Sequence, residues 1–75
     1  MGAGIPVLTA AEIERILLRL EFVCRPVKGA HRLYRHSDGR TTTVPFHAGR
    51  DISPVLLRKI CRDIALPVEA FLNDR

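Results

Sequence analysis

The sequence predicts a small α+β domain in which one helix, a three-stranded antiparallel sheet and a second helix follow one another along the chain. Three observations predict it. Apolar residues recur with helical spacing at Ile13, Ile16, Leu17 and Leu20, and again at Leu57, Ile60, Cys61 and Ile64. Between these stripes lie short β-leaning runs separated by turn signals, of which "SDGR" at 37–40 is the strongest. The 75 residues, 47% of them apolar, suffice for one core and leave no room for a second. The whole span 1–75 therefore reads as a single domain, with residues 1–8 as a flexible lead-in.

The elements follow in order. Thr9-Ala10-Ala11-Glu12 has the form of a capping box and starts a helix over about 10–20. Glu21 to Val27 leans toward strand, and Pro26, which cannot donate to a central ladder, assigns it to an edge or a strand end. "VKGA" supplies a turn. His31 to His36 then alternates, with Leu33 on one face and Arg32 and Tyr34 on the other; Leu33 is expected to face the helices. Asp38-Gly39 turns the chain, and Thr41 to Phe46 returns as a β-branched strand. Ser53-Pro54 caps a second helix that runs to about Ala65, and beyond Pro67 a last helical turn brings in Phe71 and Leu72. Both apolar stripes can cover one face of the sheet, which leaves its other face or its rim free for a partner.

Composition narrows the function. The longest apolar runs, such as "ILL" at 16–18, fall far short of the roughly 20 residues that span a bilayer, so no membrane segment is expected. The first nine residues lack the form of a secretory signal, and Cys24 and Cys61 form neither a zinc spacing nor a redox pair. A reducing cytoplasm is the expected setting, with both thiols as small apolar core residues; a disulfide between them is the lesser alternative. Charge is uneven. Arg25, Lys28, Arg32, Arg35, Arg40 and Arg50 face a single acid, Asp38, within 25–50, whereas the remaining residues hold six basic and seven acidic side chains. That concentration points to a phosphate-bearing or acidic partner. A basic hairpin that merely protects a sheet edge is the alternative.

Several chemistries lack their residues. His31, His36 and His47 have no compact zinc spacing and no carboxylate cluster beside them, so no metal site is expected. The five glycines stand singly, and no phosphate-cradling loop or other cofactor site is expected. Ser37 and Ser53 are explained by a turn and a cap. Metal-free acid/base work by histidine on an RNA phosphodiester is what survives. RNA carries its own nucleophile in the 2′-hydroxyl, so a histidine need only move a proton while Lys or Arg offsets charge on the phosphorus. His31 is the best-placed candidate, with His47 second and His36 expected in solvent. Lys28, Arg32 and Arg35 are the candidate phosphate contacts, and Tyr34 is a candidate for stacking on a base. Alternation puts His31 on the side of Leu33, so spacing and charge alone leave open whether it is catalytic or structural.

The run "FVCRPVKGAHRLYRHSDGRTTTVPFH", residues 22–47, resembles the HicA (YcfA-like) toxin family, whose members read as Gly-Phe, a short basic strand, "KGSH", an aromatic, a "DG" turn and a "vtvPxH"-like return. The likeness continues through "ISPVLLRKICRDIAL" and covers about Ala10 to Phe71. It implies a fold resembling the double-stranded-RNA-binding domain, and a metal-independent endoribonuclease acting on messenger RNA as the toxin of a toxin–antitoxin pair. It also implies a HicB-type antitoxin as protein partner and places the essential histidine of "KGSH" on His31. Two positions depart from the pattern: Ala30 stands where the family has Ser, and Glu21 where Gly precedes Phe22. A non-catalytic RNA-binding module of the same fold is the alternative reading.

Overall fold

A computed structural model of the chain describes residues 7–27, 29–46 and 51–75. The elements are β1 (Leu8–Thr9), α1 (Ala10–Arg19), β2 (Val23–Pro26), β3 (His31–Arg35), β4 (Thr41–Pro45), β5 (Asp51–Ile52), α2 (Pro54–Asp63) and α3 (Val68–Leu72). The strands β2, β3 and β4 form an antiparallel meander with β3 in the centre. Pro26 accordingly lies on an edge strand, where its missing N–H costs no central hydrogen bond. The α+β architecture read from the sequence is the one observed.

Both predicted stripes are buried. Ile13, Ile16 and Leu17 of α1 meet Leu57, Ile60 and Cys61 of α2 in one core with Tyr34 and Val44 of the sheet, and Phe71 of α3 closes it. Thr9 caps α1 as the sequence implies: its N–H donates to the Glu12 carboxylate at 2.9 Å, and the Glu12 N–H donates to its hydroxyl at 3.2 Å. Ser53 caps α2 through the Leu56 N–H.

A second, two-strand ladder has no counterpart in the sequence reading. β1 pairs antiparallel with β5, Leu8 opposite Ile52 and Thr9 opposite Asp51, and both apolar members are buried. Leu8 therefore belongs to the fold, which corrects the lead-in boundary of 1–8; residues 1–6 lie outside the described residues. The reason is burial: an exposed Leu8 would forfeit its apolar contact with the core, and the ladder satisfies its backbone while it is inside. Because Thr9 and Ser53 adjoin these strands, the ladder also fixes where each helix starts.

Both long helices stop in the same way. After α1 the Phe22 N–H donates to the Leu17 carbonyl and the Glu21 N–H to that of Leu18, both at 3.0 Å. After α2 the Leu66 N–H donates to the Cys61 carbonyl at 3.0 Å and the Ala65 N–H to that of Arg62 at 3.1 Å. This double-bonded stop requires a left-handed residue just past the cap, a place that favours glycine. Glu21 at φ +72° and Ala65 at φ +58° occupy it instead. The left-handed cost for an L-residue exceeds the unfolded-state entropy that glycine adds, by about 0.5–1 kcal/mol. Glu21→Gly and Ala65→Gly are each expected to raise the melting temperature, by roughly 4–8 °C per kcal/mol gained, as thermal unfolding followed by circular dichroism will measure.

Candidate functional site on the outer face of the sheet

The register sorts every side chain of β3 between two faces. Cys24, Tyr34 and Thr42 are opposite one another across the three strands, as are Pro26, Arg32 and Val44; these rows face the helices. Val23, Arg35 and Thr41 form one row of the outer face, and Arg25, Leu33 and Thr43 the next. His31 continues that face at the start of β3, opposite Pro45, and its carbonyl accepts the Val27 N–H at 3.3 Å.

Leu33 thus faces outward and Tyr34 inward, the reverse of the expected assignment. Tyr34 is fully buried, and its hydroxyl donates to the Glu14 carboxylate of α1 at 2.6 Å. A tyrosine buries more apolar surface than a leucine and here finds a partner for its polar end, so it takes the inner position. With its ring inside the core it offers no face to a base, and the stacking assignment is withdrawn. The inversion also removes the conflict over His31. Being on the side of Leu33, it is exposed.

The basic residues divide in the same way. Arg32 points toward α1: its guanidinium donates to Glu14 Oε2 at 2.9 Å and lies 3.8 Å from the centroid of the Phe46 ring. It is a bridge between sheet and helix, not a free phosphate contact. Arg40 donates to Asp38 at 2.8 Å and to the Ile64 carbonyl at the end of α2 at 2.6 Å. Arg25 and Arg35 remain on the outer face, and among the described residues neither has an acidic partner. Each lies diagonally across from the other, and Arg25 is also diagonal to His31, within the reach of long side chains. Arg25 is the site residue that the sequence reading counted as charge but did not select. Assigning Tyr34 to the core would have found it, because strand alternation then places Arg25 beside Arg35.

His36 is not free in solvent: its ring meets Phe22 edge-on at 5.1 Å, and its side chain is only 17% exposed beside Asp38. Lys28 and His47 lie outside the described residues. Gly29, at φ +69°, makes the turn that delivers His31, and the Ala30 carbonyl accepts the Phe46 N–H at 2.6 Å. Cys24 and Cys61 are free thiols, and burial pushes that of Cys61 up to about 11, away from thiolate chemistry. Among the described residues no three His, Cys, Asp or Glu side chains gather as metal ligands.

Among the described residues the outer face therefore presents an exposed imidazole diagonal to the unpaired Arg25, with the unpaired Arg35 farther along β3 and exposed Val23 and Val27 on and just past the neighbouring strand. Compared with models of known protein families, residues 10–66 match the HicA toxin of bacterial toxin–antitoxin systems. The chain belongs to the HicA toxin family. The matched span starts with α1 and runs past the end of α2, so it takes in the whole meander and His31. No curated protein matches the chain. Membership carries a toxin–antitoxin setting, in which a HicA chain has an antitoxin as its counterpart. No helix among the described residues is long and apolar enough to cross a membrane.

Carboxylates hold this arrangement together. Burial alone would raise the Glu14 carboxyl, but the Tyr34 hydroxyl and the Arg32 guanidinium outweigh it and hold the group below its usual value. Lys59 and the Thr42 hydroxyl do the same for Asp63, which ties α2 to β4. A carboxyl whose native value is depressed contributes stability above its unfolded value and loses it as pH falls through the native one. Denaturant midpoints are expected to fall below about pH 4. Glu14→Gln should cost about 1–2 kcal/mol at pH 7, with the difference from wild type shrinking at pH 3, as paired urea titrations will measure.

Proposed function

We propose that this protein is a metal-independent endoribonuclease that cuts messenger RNA on the outer face of the sheet, with His31 as proton carrier. The single observation that supports it most is the exposed imidazole of His31 on the same face as Arg25, diagonal to it, and Arg35 farther along the strand, two cations that no described acid neutralises. Attack of the ribose 2′-oxygen on the adjacent phosphorus breaks the bond to the 5′-oxygen, leaving a 2′,3′-cyclic phosphate and a 5′-hydroxyl. One proton must leave the nucleophile and one must reach the leaving oxygen; His31 carries one of them and water the other, while Arg25, diagonal to it, offsets the extra charge on phosphorus and Arg35 holds the strand farther along. Gly29, at φ +69°, makes the turn that leads into His31, a backbone angle that favours glycine.

The same face suits a HicB-type antitoxin. Val23, 59% exposed, and Val27, 46% exposed, lie among basic side chains, the mix of apolar centre and charged rim that protein partners cover. An antitoxin with acidic side chains there would exclude RNA by occupying the cations. The cytoplasm, where messenger RNA is found, is the compartment this reading requires.

The test is cleavage of a 5′-labelled unstructured RNA in the presence of chelator. Wild type is expected to cut, with a limb of the pH–rate profile in the imidazole range, and folded His31→Ala to bind without cutting. Binding by both without cutting by either would leave an RNA-binding module. Arg35→Ala and Arg25→Ala should each reduce the salt slope of binding by about 0.7, the share of one phosphate contact on a single strand. Arg32→Ala should lower stability and leave that slope alone.

A further inference from the structure

Beyond His31 the outer face continues into a shallow groove lined by Glu21, Val23, Arg25, Arg35, His36 and Ser37. We propose that this groove is a base-selective nucleotide subsite for single-stranded RNA, in which Arg25 and Arg35 hold phosphate and the Glu21 carboxylate accepts N–H from an amino-bearing base. The inference rests on RNA being the ligand of the outer face.

Four features support it. Cations and a carboxylate line one groove, yet among the described residues Glu21 forms no ion pair with Arg25 or Arg35. They stand as separate donors and acceptor, an arrangement that suits a ligand carrying both phosphate and N–H groups. Val23 offers an exposed apolar shelf between them, and the flat face of a base is the part of a nucleotide that apolar surface accepts. Glu21 sits at φ +72°, where glycine would be the less strained residue, so a long acidic side chain is held there at a cost to stability. Position supplies the fourth: Arg35 lies four residues along β3 from His31 on the same face, roughly 13 Å away at strand spacing, so a chain crossing His31 runs on into the groove.

The carboxylate also bears on which base fits, because it accepts N–H from a base edge turned toward it. Guanine, adenine and cytosine each present an amino group to such an acceptor; uracil has none and offers only its single N3–H.

The experiment measures binding of labelled 2′-O-methyl oligouridine, and of the same strand with one guanosine moved along it, by fluorescence anisotropy. These probes lack the nucleophile, so binding is read without cleavage. Wild type should prefer guanosine at one register by about three- to tenfold. Glu21→Gly, which keeps the fold, should bind both probes equally and hold the all-uridine strand more tightly than wild type does. Glu21→Gln, which keeps the length without the charge, should show a reduced preference. Equal binding by wild type at every register, a preference that survives in Glu21→Gly, or no binding of any probe would each overturn the subsite. Preference without cleavage of ordinary RNA would sink the nuclease reading and leave the subsite; cleavage without preference would do the reverse.

Discussion

The hydrogen bond from the Tyr34 hydroxyl to Glu14 is the constraint from which the working face follows. Side chains alternate along a strand, so fixing one residue of β3 inside fixes all five. With Tyr34 inside, Arg32 turns toward the helices as well, and His31, Leu33 and Arg35 face outward. Glu14 then serves two donors at once, since Arg32 reaches the same carboxylate oxygen at 2.9 Å. Were β3 to slip by one residue, Leu33 would fill the core, the tyrosine would lose its acceptor, and His31 would turn toward the helices.

A chain with concentrated positive charge must divide it between holding the fold and meeting a partner. Here the division follows the two faces of the sheet. Arg32 bridges to α1 and Arg40 closes the end of α2, each satisfied by a carboxylate or a carbonyl. Arg25 and Arg35 are left for the solvent side. Their desolvation on binding a phosphate is compensated by a charge-assisted hydrogen bond that no internal acid already supplies.

How much of this could be read from the sequence depends on the kind of signal. Both long helices were legible because stripe and cap agree: Thr9 with Glu12 begins one and Ser53 with Pro54 the other. The turns at Gly29 and Gly39 were legible because both adopt positive φ. The facing of β3 was not, because hydropathy favours Leu33 inside while volume and a hydroxyl partner favour Tyr34, and that partner lies 20 residues away in sequence. The β1–β5 ladder was hidden for a related reason, since two-residue strands show no periodicity. Arg25 was missed as a consequence of the β3 error, and His36, expected in solvent, was captured by Phe22. Glu21 shows the converse: the family pattern marked the position as a departure, and the backbone supplies the physical reason, a helix stop that favours glycine.

The central claim is that RNA meets the outer face of the meander and not the helices. The most direct test is a backbone-amide NMR titration of the wild-type protein with an uncleavable 2′-O-methyl RNA strand. The perturbed amides are expected to cluster at Arg25, His31, Leu33, Arg35 and Thr43. Perturbations concentrated instead around Arg15, Arg19, Arg58, Lys59 and Arg62, the exposed basic residues of α1 and α2, would contradict it.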